Sequence, residues 1–234
     1  MSAARAVEGV AASPGPENLA GLNMDCIVHN ITGNGRLRMA RPREFDVDRA
    51  LERALQVFWA KGYEATSLDD LCEATGLSRS SLYGAFGDKR DLLLRTLDRY
   101  SENGTARLAV RLERAGPIRA ALKGLLDEFI DQIVAGPGRR GCFVGNCAAE
   151  LARLDREAMA CVQRSLARNE AVFRAALERA QARGELATGA DINALARFLT
   201  ASFQGLRLLG KVVSDRAALE DVAAVMLRCL DQGS

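Results

Sequence analysis

The sequence predicts an all-α fold, and three observations support this prediction. Ala and Leu, which favour helices, dominate the apolar residues that make up 48% of the 234-residue chain. From residue 46 onward, apolar residues recur at the spacing of a helix, whereas the alternation typical of strands is missing. Gly and Pro residues separate the helical segments. We therefore expect an N-terminal three-helix helix-turn-helix domain followed by a larger helical domain.

The chain is expected to divide into three parts. Residues 1–38 contain two prolines and several glycines without an apolar period, and they are predicted to be a disordered or extraneous extension. Two interpretations stay open, because either Met39 is the natural start or the extension is a true tail. Residues 39–92 are predicted to form the helix-turn-helix domain, and residues 93–234 the second helical domain.

The first two helices have recognisable end signals. The first is expected to start near residue 46, to place Phe58 and Trp59 in the core, and to end before Gly62, which serves as a C-cap. Thr66 is predicted to be the N-cap of a second helix over residues 67–74. Acidic residues in the first turn of that helix suit the helix dipole.

A third helix of about eight residues is expected after a tight turn at Gly76. Ser78 should cap it, and Leu82 and Phe86 lie one turn apart and should face the core. Asp88 then caps a fourth helix that continues past residue 100. Two short helices joined by a Gly turn are the signature of a helix-turn-helix, whose second helix enters the major groove of DNA.

The exposed side of the third helix carries residue types that suit DNA reading. If Leu82 and Phe86 are buried, Arg79, Ser80 and Ser81 are exposed at the helix start. Arg can pair with guanine there, and Ser can reach most bases. Tyr83, Lys89 and Thr66 lie near this helix and can contact phosphates. Arg41 and Arg43 form a basic N-terminal arm. The residues predicted to bind DNA are Arg41, Arg43, Thr66, Ser78, Arg79, Ser80, Ser81, Tyr83 and Lys89.

Charge alone does not support this prediction, because acidic residues slightly outnumber basic ones between positions 40 and 92. Three short sequences do. GYEATSLDDL, GLSRSSLY and FGDK occur in order within residues 41–93, and their content and spacing resemble the DNA-binding domain of the TetR family of bacterial transcriptional regulators. The family commonly has bulky residues where this chain has Gly84 and Ala85. The resemblance implies a homodimer on a palindromic operator, acting as a repressor that a small-molecule effector releases.

Residues 93–234 are expected to form the effector-binding and dimerisation domain. Its predicted helices cover about residues 117–134, 143–153, 156–183, 191–213 and 216–231. The last two, at about 191–231, are apolar nearly all round and carry the small residues Ala201, Ser202 and Gly205. Such residues let helices of two subunits pack closely, which predicts a dimer surface. Burial of both helices within one subunit is the alternative.

Two cysteines flank the sequence FVGN and are candidates for a sensor. Arg139 and Arg140 precede Cys142, and a helix that starts there adds its dipole, so this thiol is the better candidate for reacting with an electrophile. Simple packing of both thiols is the alternative. The predicted ligand or sensor residues are Cys142, Phe143, Asn146, Cys147, Glu150, Phe173 and Phe203.

Other classes of protein are disfavoured. With one His and no CxxC spacing, neither a metal site nor another cofactor is expected. The same shortage of histidine leaves a thiol enzyme without a base. The chain has no apolar run of roughly 18 residues and no signal peptide, so a cytoplasmic protein is expected. The alternative function is a helical protein-interaction module without specific DNA binding.

Overall fold

The computed structural model describes residues 45–114 and 116–231. The predictions for the N-terminal extension and for Arg41 and Arg43 lie outside these residues. Within the described residues there are nine α-helices, one 3₁₀ helix and no strand, so the all-α prediction is confirmed. None of these helices is long and apolar enough to cross a membrane.

The first four helices form the predicted helix-turn-helix domain and a long connecting helix. They are α1 (Val47–Lys61), α2 (Leu68–Thr75), α3 (Arg79–Phe86) and α4 (Lys89–Arg114). The N-cap prediction for α2 was wrong. Ser67 caps it, because the Ser67 hydroxyl accepts from the Asp70 N–H and the Asp70 carboxylate accepts from the Ser67 N–H. Thr66 is buried instead, and its hydroxyl donates to the Gly62 carbonyl.

The predicted core face of α3 is confirmed. Leu82 and Phe86 are fully buried together with Phe58 and Leu71 of the two preceding helices. The turn before α3 is tight because Gly76 takes the left-handed backbone conformation, with φ of 74°. Burial of one face of α3 therefore fixes its opposite face toward solvent.

The remaining helices build the second domain around α4. They are α5 (Ile118–Ala135), the 3₁₀ helix (Pro137–Arg140), α6 (Phe143–Leu151), α7 (Arg156–Ala182), α8 (Ile192–Leu209) and α9 (Arg216–Arg228). One apolar cluster joins α1 to α4 with α6 and the start of α7. A second cluster joins α5 and the end of α7 with α8 and α9. Because α4 contributes to both, it connects the helix-turn-helix to the second core.

Candidate DNA interface and effector cavity

The outer face of α3 gathers most of the residues predicted to bind DNA. The exposed members are Ser78, Arg79, Ser80, Ser81 and Tyr83. No atom lies within 4 Å of the place that a Cβ would take at Gly84, so the middle of this face is open. An exposed short helix with a small residue at its centre can approach a groove closely.

Arg79 is held in place by an acidic neighbour on α2. Its Nη2 lies 2.7 and 2.9 Å from the two carboxylate oxygens of Asp69, and its Nε lies 3.2 Å from one of them. Both side chains are more than half exposed. Such an exposed ion pair contributes little to stability, because solvent screens it. The pair therefore orients Arg79 without preventing its guanidinium from binding a base or a phosphate.

The hydroxyl of Ser78 has a structural role. It accepts a hydrogen bond from the Ser81 N–H at 3.1 Å and so caps α3. It also lies 3.0 and 2.9 Å from the hydroxyls of Ser80 and Ser81. These contacts link the three serines at the start of the recognition face, so a substitution at one of them removes hydrogen bonds of the others.

Two residues predicted to contact phosphates are engaged in the turn between α1 and α2. The Lys89 ammonium donates to the carbonyls of Tyr63 and Thr66 at 2.9 and 3.0 Å and lies 4.3 Å from the centroid of the Tyr63 ring. One of its three N–H donors remains for a phosphate. The Thr66 side chain is turned inward, because its hydroxyl satisfies the end of α1.

Glu150 is not in the lining of the cavity described below, contrary to the prediction. Its carboxylate accepts hydrogen bonds from the N–H groups of Tyr63 and Glu64, at 3.0 and 2.8 Å. The reason is the length of α6, because nine residues span about 13 Å. Cys142 at its start reaches the cavity described below, whereas Glu150 at its far end reaches the α1–α2 turn. Glu150 thus ties the second domain to the helix-turn-helix.

A second polar contact joins the same two parts of the fold. Asp155 caps α7 by accepting from the Glu157 and Ala158 N–H groups, and it also forms an ion pair with Arg90 at the start of α4. The Arg90 guanidinium holds the pKa of the Asp155 carboxyl at about 2. The base of α4 is therefore fixed to α7 by a charged pair at ordinary pH.

A cavity of about 630 Å³ lies between α1, α4, α5, α7 and α8. Phe173 and Phe203 both line it, and their rings are stacked with centroids 5.3 Å apart. Trp59, which was expected only in the core, is half-buried and lines the same space together with Tyr100. The cavity thus has aromatic and aliphatic side chains in its wall with polar groups among them, as small-molecule sites commonly have.

The two candidate thiols have different surroundings. Cys142 lines the cavity and is the N-cap of α6, as its predicted place at the start of a helix requires. Cys147 is buried in the core away from the cavity lining. Burial, together with the neighbouring Glu150 carboxylate, raises the pKa of the Cys147 thiol to about 12. Cys147 therefore has little thiolate at neutral pH and is a poor candidate for a sensor.

Two other predicted ligand residues are also placed outside the cavity. Phe143 is buried between the rings of Trp59 and Tyr100, with centroid distances of 6.2 and 5.7 Å. Asn146 donates to the Arg140 carbonyl and accepts from Lys211, so its amide connects the 3₁₀ helix to the end of α8. Both predictions were wrong, because the Phe143 ring packs into the core against Trp59 and Tyr100, and the Asn146 amide is held by Arg140 and Lys211.

Sequence reasoning missed Arg207, whose half-buried side chain lines the cavity. Its guanidinium lies 4.2 Å from the centroid of the Phe129 ring. A signal was available, because Arg207 stands alone among apolar residues in the α8 sequence FQGLRLLG. A cation at such a position requires a polar partner or a ligand.

Comparison with known proteins agrees with this geometry. Residues 50–96 match the family model described as bacterial regulatory proteins, tetR family, and residues 119–226 match that of the tetracyclin repressor-like C-terminal domain. The chain belongs to the TetR family of bacterial transcriptional regulators. The resemblance of the helix-turn-helix is thereby confirmed, and this TetR-family chain is a DNA-binding regulator of transcription.

Three similar proteins place it more closely within the family. The HTH-type transcriptional regulator YezE of Bacillus subtilis is 37% identical over 82% of this chain and 100% of YezE. The HTH-type transcriptional repressor ComR of Escherichia coli is 32% identical over 80% of this chain and 90% of ComR. A cysteine mutant of the regulator CifR, solved with 26-base-pair operator DNA, is 34% identical, covers 82% of this chain and 99% of CifR, and has a TM-score of 0.66.

Proposed function

We propose that this chain is a repressor that binds a palindromic operator as a homodimer and is released by a small-molecule effector or a thiol-reactive electrophile. The exposed face of α3 carries this proposal, because it offers Arg79 and three hydroxyls on a helix whose other face is buried. The name of ComR as a repressor and the operator DNA bound to CifR support it. We also propose that the protein is not an enzyme, and that it acts in the cytoplasm, where bacterial DNA lies.

The proposed division of labour follows the geometry of the interface. Arg79, Ser80 and Ser81 read base edges, since they stand at the N-terminal end of the recognition helix. Tyr83 and the free donor of Lys89 bind phosphates, which fix the position of the helix on DNA. Domain boundaries at residues 39–92 and 93–234 remain part of the proposal.

The proposed dimer surface is the outer side of α8 and α9. Phe198, Leu208 and Val225 are large apolar residues exposed on these helices. Beyond its chain neighbours and the backbone of α8 itself, no atom lies within 4 Å of the place that a Cβ would take at Gly205, so a second helix can approach there. A symmetric pair of these surfaces forms a four-helix contact and carries two copies of α3 about 34–36 Å apart on DNA.

The proposed effector site is the cavity beside α4. An occupant that fits better when α4 is tilted shifts the dimer toward a spacing that no longer matches the operator. Cys142 is the proposed reaction site for an electrophile, because its thiol lines this cavity at the start of α6.

The proposal is tested with the purified protein and its own upstream DNA by fluorescence anisotropy at two salt concentrations. Specific binding should weaken steeply with salt, because arginines and lysines release counterions from phosphate. Arg79→Ala should relax the choice at one base pair by about 1–3 kcal/mol, whereas Tyr83→Phe should weaken binding to all operator variants alike. Arg179→Ala, which changes an exposed arginine in the last turn of α7, is the matched control.

Two results would contradict this proposal in part or in full. Equal loss on every operator variant with Arg79→Ala would remove its base-reading role. If neither upstream DNA nor any sequence selected from a random pool binds, the protein is a helical interaction module and not an operator-binding repressor.

A further inference from the structure

The wall of the effector cavity carries more positive than negative charge. Its charged members are Glu52, Arg99, Arg107, Arg111, Glu128 and Arg207. Two of the arginines are neutralised by carboxylates, because Arg99 pairs with Asp48 and Arg111 pairs with Glu128. Arg107 and Glu52, which carry opposite charges, are both exposed to solvent. Positive charge therefore remains inside the cavity at Arg207.

Arg207 lies in the cavity without a counter-charge. Among residues 45–114 and 116–231, no carboxylate forms an ion pair with its guanidinium. The contact with Phe129 orients the guanidinium over the ring, and the Tyr100 hydroxyl lies within reach of one of its five N–H donors, which leaves the others available. A half-buried guanidinium in this position is costly unless its donors meet water or a ligand. The arrangement favours an anionic partner, for which Arg offers two parallel donors.

The surroundings of Arg207 define the rest of the ligand. Burial raises the pKa of Tyr100 to about 12, so its hydroxyl keeps its proton and can donate at neutral pH. Phe203 is 5.6 Å from Phe129 and 5.3 Å from Phe173 between ring centroids. The cavity thus has a cation with a phenolic donor in its lining, and aromatic rings beside them.

We propose that this cavity binds an organic monocarboxylate with a ring-sized apolar body, whose carboxylate is held by Arg207 and Tyr100. The body packs on Phe129, Phe173 and Phe203. The volume of about 630 Å³ lies within the range of small-molecule sites, about 300–1,000 Å³. This inference rests on the proposed function, because it names the chemical class of the effector.

The chain provides its own reporter for the test. Trp59 is the single tryptophan of the sequence and lines the cavity, so its fluorescence should respond to an occupant. The probes are phenylacetate and 4-phenylbutyrate, each compared with its primary amide, which has the same shape without the charge. The acids should bind at least about tenfold more tightly than the amides, because only the acids form a charge-assisted pair with arginine.

Variants of Arg207 test whether this residue causes the preference for acids over amides. Arg207→Gln should remove the acid preference, and Arg207→Lys should keep only part of it, because a lysine cannot form the bidentate pair. Arg179→Gln changes an exposed arginine on α7 outside the cavity lining and should leave the preference unchanged. Circular dichroism melting establishes that each variant is folded.

Three outcomes would overturn the inference: equal binding of acids and amides, an acid preference that survives Arg207→Gln, or no response to any acid. Operator binding by the same preparation without a ligand is measured in parallel. A protein that binds the operator but fails the acid test refutes the ligand class alone. A protein that fails both refutes the proposed function as well.

Discussion

The two hydrogen bonds of Glu150 make the link between α6 and the helix-turn-helix measurable. Glu150→Ala removes the acceptor of the Tyr63 and Glu64 N–H groups. A hydrogen bond to a charged group contributes about 1.5–3 kcal/mol. The bond from Tyr63 is partly buried, whereas the bond from Glu64 is exposed, where water can replace the acceptor. We therefore expect the free energy of unfolding to fall by about 2–3 kcal/mol.

Urea unfolding followed by circular dichroism measures this loss, with protein concentration held constant because association changes apparent stability. In a protein of this size the midpoint temperature should fall by about 4–12 °C. Glu150→Gln keeps one acceptor oxygen but turns an N–H donor toward the second amide, so its loss should be smaller. Glu178→Ala, at an exposed position on α7, is the control and should change stability by less than about 0.5 kcal/mol.

Operator affinity should fall with Glu150→Ala as well, because the α1–α2 turn sets the position of α2 and hence of α3. A free energy of unfolding for Glu150→Ala equal to that of Glu178→Ala would refute this role of Glu150. In that case water satisfies both turn amides in solution, and α6 holds the helix-turn-helix through apolar packing alone.

Three further predictions concern single groups. Leu82→Ala should lower the free energy of unfolding by about 2–5 kcal/mol in urea, because Leu82 is fully buried. The pKa of Asp155 is lowered from 3.8 to about 2, so its ion pair stabilises the fold above pH 3.8 and is lost toward pH 2. The melting temperatures of the wild type and Asp155→Asn should therefore converge over that interval. Iodoacetamide at neutral pH should leave Cys147 unmodified in the folded protein, as read by peptide mass spectrometry, because burial raises its pKa to about 12.

A specific result would contradict each of these three predictions. A loss below about 1 kcal/mol for Leu82→Ala would mean that α3 is not packed on the core. A constant difference between wild type and Asp155→Asn down to pH 2 would show that the Asp155 charge does not contribute. Rapid labelling of Cys147, matched to that of the unfolded chain, would show that α6 opens readily.

The local features of the helix-turn-helix could be predicted because their causes are local. Ser78, Gly76 and the i, i+4 pair of Leu82 and Phe86 act within one or two helical turns, and the structure has all of them as predicted. The wrong N-cap of α2 shows the limit of single-residue signals. Thr66 and Ser67 are both good caps, and each has an aspartate three residues later. Packing decides between them, because Thr66 is buried with its hydroxyl donating to the Gly62 carbonyl, whereas Ser67 is exposed and free to cap.

The candidate effector site was predicted only in part, because it depends on which helices pack together. Glu150 meets the turn amide of a residue 86 positions earlier in the chain, and no spacing rule predicts such a contact. Helical periodicity places Cys142, Asn146 and Glu150 on one side of α6. It does not show that the cavity ends after the first turn, which is a consequence of how α6 crosses α4. Whether Trp59 lies in a core or at a cavity wall depends on the same packing.

The empty space beside α4 also affects how long the protein survives in a cell. A molecule that binds only the folded form stabilises it by RT ln(1 + [L]/Kd), which is about 2.7 kcal/mol at a hundredfold excess over Kd. The population of the unfolded form, on which proteases act, then falls. An effector that fills the 630 Å³ cavity would therefore free the operator and at the same time slow degradation of the regulator. Once the effector is consumed, more of the regulator is present to bind the operator again.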